Sequence, residues 1–265
     1  MLFRSSNAAA AFSGNNQNVA LSATVTSAGG AVNAGTVTFT VSQGGVTVGV
    51  PVTSAAVAAG TASATFVLPG GTAAGAYTIT AAYSGGGGFA ASSDNTHSLT
   101  VSAVPTVVSF NMLFGSTSLN MIGSTRIHLP WQITGIQVVF SKVITAAGAN
   151  SLTGVQVTGF SGLGTNTLTW TISPLSLASG TAILQANTIT DSSNNALNGG
   201  KNFNQLFKVL WGDFNDDGVV NASDLVGVNN ARSQPYNIFA DMNGDKVVDA
   251  NDVRIVQSQI GKSNP

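Results

Sequence analysis

The sequence predicts a mainly β fold: two β-sandwiches in succession, followed by a small α-helical module. Three observations point there. Short runs in which apolar and polar residues alternate recur from Val19 onward, the period of a strand with one buried face. Glycine falls between these runs, where tight turns need positive φ. Acidic residues, scarce elsewhere, crowd the far end: glutamate is absent, and eight of the ten aspartates lie between Asp213 and Asp252. Carboxylates gathered so closely call for a local reason.

Residues 1–104 form the first unit. VALSATVT from Val19, GTVTFTV from Gly35 and TASATFVL from Thr61 alternate cleanly. Gly44-Gly45 and Gly70-Gly71 sit between strands as turns. AYTITAAYS from Ala76, a glycine-rich loop and a last strand around HSLTV from His97 complete about seven short strands, the density of a β-sandwich. The order GTVTF, GTASATF, GAYTITAAYSGGGGFAAS resembles the bacterial Ig-like repeat domain. Members of that family usually carry YSGD before the F.AS stretch, where Gly85 to Gly88 stand here. The resemblance implies an Ig-like fold and nothing about a ligand.

Pro105 opens a second unit, 105–211. ITGIQVVFSK from Ile133, VQVT from Val155, TLTWTI from Thr167 and GTAIL from Gly180 follow at sandwich-like intervals. TITDSSNNAL from Thr188 resembles the ending of Ig-like domains found in bacterial surface-layer and adhesin-like proteins. Asp191 and Asn195 are expected to hold a turn through side-chain to backbone bonds. The segment RIHLPW, Arg126 to Trp131, has no clear place in the pattern. Trp131 and Trp170 are expected in the core and His128 as a partly exposed strand residue; an exposed Trp131 would instead offer a stacking face for a carbohydrate.

Residues 212–265 hold the aspartates, in two twelve-residue loops that begin at Asp213 and Asp241. The first places Asp213, Asn215, Asp217, the Val219 carbonyl, Asn221 and Asp224 at positions 1, 3, 5, 7, 9 and 12. The second places Asp241, Asn243, Asp245, the Val247 carbonyl, Asp249 and Asp252 there. This is the oxygen pattern of an EF-hand-type calcium loop, so two calcium ions are expected. Gly218 occupies position 6, where the chain bends sharply; Lys246 replaces that glycine in the second loop, at a cost of about 1 kcal/mol or more. Position 12 is Asp rather than Glu in both loops. Val220 and Val248, at position 8, are expected to meet across an apolar contact.

The stretch before Asp213, FNQLFKVLWG, reads as a strand, whereas the residues after each loop read as helix, the second ending at Gly261. Loop then helix, twice, joined by Ser233-Gln234-Pro235-Tyr236, resembles a dockerin, the calcium-dependent module that docks onto cohesin domains in extracellular assemblies. The resemblance covers residues 212 to 262. It implies partner contacts at positions 10 and 11, here Ala222 with Ser223 and Ala250 with Asn251. Helix capping by Ser223 and Asn251 is the alternative role.

The remaining composition narrows the function. Net charge is −1, which argues against nucleic acid and an anionic membrane surface. No apolar run approaches the roughly 20 residues of a membrane-spanning helix. There is no cysteine, so neither disulfides nor thiol chemistry enter. Outside the loops only Asp94 and Asp191 could serve as catalytic carboxylates, and His97 and His128 are the only histidines. No nucleophile, metalloprotease or phosphate-loop motif accompanies them. The sequence therefore predicts a non-catalytic, extracellular or cell-surface segment of a longer exported protein: Ig-like spacers carrying a dockerin-type module for a cohesin-like partner. The alternatives are a subunit of a filament, sheath or surface layer that binds neighbouring copies of itself, and a carbohydrate-binding adhesin.

Overall fold

Between Gln17 and Ser27 every second side chain, Val19, Leu21, Ala23 and Val25, is buried and its neighbours are not, as one face of a strand lying on a core requires. The computed structural model describes residues 2–265, which divide into two units between Val104 and Pro105. The first unit contains, among the described residues, β1 (Leu2–Ser5), β2 (Ala8–Ala11), β3 (Gln17–Ser27), β4 (Gly30–Ala31), β5 (Val37–Gln43), β6 (Val46–Thr53), β7 (Thr61–Leu68), β8 (Gly75–Tyr83) and β9 (Ser92–Ser102). One sheet runs β1-β3-β4 with β7 also paired to β3; the other runs β2-β9-β8-β5-β6. Their inner faces bury Leu21, Phe39, Phe66, Ile79, Tyr83 and Leu99 in one cluster.

The turns follow from glycine. Gly44 and Gly45, at φ 58° and 84°, close the β5–β6 hairpin in the left-handed region that a two-residue turn of matching twist demands. The last strand begins at Ser92, earlier than the His97 region that alternation alone suggests, because Asp94 is already paired with Ala81. Asp94 also fastens the N-terminal strand. One of its oxygens accepts from Ser5 N (2.7 Å), Ser5 Oγ (2.9 Å) and His97 Nδ1 (3.0 Å), the other from Thr96 N (3.0 Å) and Thr96 Oγ1 (2.7 Å). Burial opposes ionisation, but the bonds from Ser5 and Thr96 outweigh it and hold the carboxyl well below the usual range. Serine, threonine and histidine thus converge on the Asp94 carboxylate as a fastening.

In the second unit, β10 (Val107–Phe114), β11 (Thr117–Asn120), β12 (His128–Leu129), β13 (Ile133–Phe140), β14 (Leu152–Thr153), β15 (Val157–Ser161), β16 (Thr167–Leu175), β17 (Leu177–Leu184) and β18 (Phe203–Leu210) form two sheets. Their orders are β11-β10-β13-β16-β15 and β12-β18-β17-β14. Trp131, Trp170, Phe110, Phe114 and Phe140 are fully buried between them. The burial of both tryptophans matches the expectation for them and removes Trp131 as a sugar platform. Each indole N–H keeps a partner, as a buried polar tip must: Trp170 donates to Gly148 O (3.0 Å) and Trp131 to Ile238 O (3.1 Å).

β18 runs on into the C-terminal segment, which holds α1 (Ala222–Ala231) and α2 (Ala250–Gln259). Leu210, Val220, Val228, Ala231, Ala240, Met242 and Val256 make its own small core. Among the described residues no helix is long and apolar enough to cross a membrane.

Asp191 holds the turn expected of it, and adds a partner the sequence did not suggest. Its Oδ1 accepts from Ser193 N and Asn195 N (2.9 and 3.0 Å), its Oδ2 from Asn195 Nδ2 (3.0 Å) and Lys142 Nζ (2.8 Å). Burial alone would raise its pKa, but the bonds from Asn195, Lys142 and Ser193 bring it down from 3.8 to about 2. A pKa depressed in the folded state contributes stability that is complete above about pH 4 and is lost as pH falls toward 2. Asp191→Asn is expected to cost the second unit about 2 kcal/mol at neutral pH. In urea melts the gap between wild type and variant should close as pH falls from about 4 to about 2. A gap independent of pH would contradict this account.

Candidate metal centre

The two loops share most of their hydrogen bonds position for position. At position 1, Asp213 Oδ1 accepts from Asp216 N (2.8 Å) and Asp217 N (3.3 Å), and Oδ2 from Gly218 N (3.0 Å). Asp241 Oδ1 accepts from Gly244 N (2.8 Å) and Asp245 N (3.2 Å), and Oδ2 from Lys246 N (2.9 Å). At position 5, Asp217 and Asp245 each take the amide of the residue two further on, Val219 or Val247, at 2.9 Å. Each also takes the side-chain amide of position 3, Asn215 or Asn243, at 2.8 Å. At position 12, Asp224 accepts from Asn215 N and Asn221 N, while Asp252 accepts from Met242 N, Asn243 N and Asp249 N. The chain is thus wrapped around its own carboxylates.

Asp213, Asp224, Asp241 and Asp252 are completely buried. Asp213, Asp217 and Asp224 each bring a carboxylate oxygen within 4.8 Å of the others. Burial pushes the Asp213 carboxyl up, and the neighbouring Asp224 charge adds to it; burial likewise pushes up Asp252. Carboxylates this close and this dry repel one another unless a cation lies among them. The donors of both loops are carboxylate, amide and carbonyl oxygens, the hard ligand set of calcium, so the residues present fit that ion. Bound there, it would supply the positive charge that the cluster lacks.

Positions 4 and 6 both adopt left-handed backbone in each loop: Asp216 at φ 66° and Gly218 at 84°, Gly244 at 68° and Lys246 at 73°. Only position 6 was expected to need it. Lys246 therefore takes the strained conformation that a glycine would adopt freely, and its N–H still reaches Asp241 as that of Gly218 reaches Asp213. Tyr236, read from the sequence as linker, donates its hydroxyl to Asp241 Oδ2 at 2.8 Å. Burial and the Asp241 carboxylate push this phenol up to about 12.

The helix caps are Asn221 and Asp249, at position 9, rather than Ser223 and Asn251. Each accepts from the amide two residues on, and Asp224 or Asp252 returns the bond as a capping box. Asn221 Oδ1 and Asp249 Oδ1, expected as metal ligands, also cap the helices. Ala222, Ser223, Ala250 and Asn251 are exposed. Val220 and Val248 share the small core, but the Val220 backbone pairs with the C-terminal tail: its N–H donates to Lys262 O (2.9 Å) and its carbonyl accepts from Gly261 N (2.8 Å).

Further contacts come from the second sandwich. His128 is buried rather than partly exposed; its amide donates to Asp216 Oδ1 at 2.6 Å and its Nδ1 lies 3.0 Å from the same oxygen. Ile127 N donates to Asp216 Oδ2 (3.0 Å), and Arg126 Nη2 donates to the carbonyls of Asp213 and Phe214. Arg126 also lies over the Phe239 ring, 4.5 Å from its centre, and Phe239 stacks on Trp131. The Gly244 carbonyl accepts from Ser116 N (2.8 Å), Ser116 Oγ (2.9 Å) and Thr117 Oγ1 (3.1 Å). The unassigned RIHLPW segment and an aspartate at the non-ligand position 4 were the two signals that could have revealed this contact.

Close approach separates the two loop glycines. A Cβ at Gly244 would lie 2.4 Å from the Phe114 carbonyl oxygen, a backbone atom that cannot swing aside. At Gly218 it would lie 3.2 Å from the His128 ring. Gly218→Ala is expected to cost about 1–2 kcal/mol from its left-handed backbone. Gly244→Ala adds a backbone collision and should cost about 3 kcal/mol or more. Thermal melts with calcium present would rank the two; equal losses would contradict the ranking.

Residues 4–102 match the family model of the bacterial Ig-like domain (group 3), and residues 211–261 match that of the dockerin type I domain. No curated protein matches the chain. Among solved structures, a titin segment titled Titin-A168169 is 10% identical over 80% of this chain and 100% of its own, with a TM-score of 0.26. The dimeric latent PorU of Porphyromonas gingivalis is 16% identical over 79% of this chain and 23% of its own, also at 0.26. Scores of this size carry no argument about either unit. The two family matches support the architecture read from the residues: an Ig-like domain at the start and a dockerin-type module at the end.

Proposed function

We propose that this chain is a non-catalytic, extracellular or cell-surface segment whose C-terminal module docks, with calcium bound in both loops, onto a cohesin-like domain. The match of residues 211–261 to the dockerin type I model supports the docking class. The observation that carries the reading is the exposure of equivalent residues at the start of both helices, Ala222 with Ser223 and Ala250 with Asn251. Calcium acts on these pairs through the chain. Asp224 and Asp252, buried in the loops, are also the third residues of α1 and α2. Any cation that orders those carboxylates orders the first turn of each helix, and with it the exposed pair. Metal binding and local folding are then one equilibrium.

Two experiments test this. Immobilised cohesin domains should retain the chain in millimolar calcium and release it in EDTA. Ser223→Arg combined with Asn251→Arg should reduce retention by at least tenfold while leaving calcium binding intact. Retention unaffected by EDTA, or filaments formed by the chain with no second protein, would favour self-assembly instead. In circular dichroism melts EDTA should lower the transition of the second unit alone, because the loops belong to it and the first unit has none. An unchanged melt would remove calcium from the account.

A further inference from the structure

We propose that the second sandwich is the outer support of both calcium loops, and that it sets their affinity by fixing position 4 of each. The inference rests on the calcium reading above. Its basis is a correspondence between two unlike sets of contacts. Asp216 and Gly244 occupy the same position in the two copies of the repeat, and each is the point at which its loop meets the sandwich.

In the first loop the Asp216 carboxylate keeps an oxygen within 4.8 Å of one of Asp213 and also reaches the sandwich. Its two oxygens take the amides of Ile127 and His128 at 3.0 and 2.6 Å. Its own amide donates to Asp213, the position 1 ligand, at 2.8 Å. One residue thus joins the sandwich to the metal site. Arg126 grips the same loop from behind: Nη2 reaches the carbonyls of Asp213 and Phe214, while Nε is held by His128 O at 2.8 Å. In the second loop the Gly244 carbonyl takes three donors from Ser116 and Thr117, and its amide donates to Asp241 at 2.8 Å. The chemistry differs, a carboxylate on two amides in one case and a carbonyl on one amide and two hydroxyls in the other, but the path is the same. Sandwich holds position 4, and position 4 holds the position 1 carboxylate.

Residues that orient metal ligands without touching the metal typically change affinity by 10- to 100-fold when removed. Arg126 offers a test in which two explanations predict opposite signs. As a nearby positive charge it opposes calcium, so Arg126→Met should tighten binding if electrostatics alone matter. As a support it favours calcium, so the same change should weaken it.

The test is isothermal titration of the full chain with calcium chloride. Arg126→Met is expected to raise the Kd of one site by about tenfold or more. The neutral pair Ser116→Ala with Thr117→Val, which removes two hydroxyl donors and no ligand, should weaken the other site by several-fold and decide the matter should the first variant not fold. Near-ultraviolet circular dichroism at saturating calcium should match wild type, since Trp131 and Trp211 report the same packing. Unchanged or tighter binding in the variants, with normal binding by wild type, would overturn this inference alone. No calcium binding by wild type would overturn both it and the reading beneath it.

Discussion

Four carboxylates without exposed surface, Asp213, Asp224, Asp241 and Asp252, set the terms for the C-terminal segment, residues 212–265. An ionised group removed from water needs hydrogen bonds on nearly every lone pair. Each of the four meets that need with backbone amides from its own loop. Curling the chain so tightly forces left-handed backbone at positions 4 and 6, and it aims the last carboxylate at the start of a helix. The caps, the turns and the placement of the exposed helix-opening pairs all descend from this constraint. Burial pushes the Asp213 and Asp252 carboxyls up, the neighbouring Asp224 and Asp241 charges add to it, and a divalent cation would offset both.

The same wrapping gives the module two distinct ends. Position 4 of each loop faces the sandwich, where aromatic packing reinforces the hydrogen bonds: Phe114 lies 3.9 Å from Trp131 at 10° and Phe239 stacks on the same indole. Truncating a buried aromatic of this kind costs about 3–5 kcal/mol, more than any one of the polar contacts. Trp211 donates to Met242 O at 3.2 Å, tying the junction to the second loop. The tail closes the remaining side, with Asn264 Nδ2 on the carbonyls of Ala178 and Val209 and its amide on Gly218 O. Positions 10 and 11 lie outside all of these contacts. A module gripped at one end and free at the other can present a surface in a fixed geometry, which lowers the entropic cost of binding a partner.

What could be read in advance follows from what is local. Strand alternation in β3, β5 and β8, the turn glycines Gly44 and Gly45, and the clustering of buried aspartates in the two loops are all written within a dozen residues, and all are legible. The Asp191–Asn195 turn is legible for the same reason. Lys142 on Asp191, Ser5 on Asp94, and His128 on Asp216 join residues far apart in the chain, so periodicity carries no trace of them. The burial of His128 is hidden in the sequence because its two-residue strand gives no alternation to place it. Ser223 and Asn251 were candidate caps by residue type. The competing residues, Asn221 and Asp249, have the same chemistry two positions earlier, and only the backbone of the loop decides between them.

The departure of the second loop from its expected pattern has a physical origin in the sandwich. Both loops need left-handed backbone at positions 4 and 6, and each places a single glycine there, but at opposite positions. In the second loop position 4 packs so closely on the Phe114 carbonyl that only glycine fits, whereas position 6 is exposed and tolerates the lysine at a cost of about 1 kcal/mol. In the first loop position 4 must supply a carboxylate to Ile127 and His128, which a glycine cannot do, and position 6 faces the His128 ring, where the absence of a Cβ relieves a tight contact. Lys246 is therefore compatible with the backbone that the repeat requires. It marks the position at which the repeat is free of its neighbour, while Asp216 and Gly244 mark the positions at which it is not.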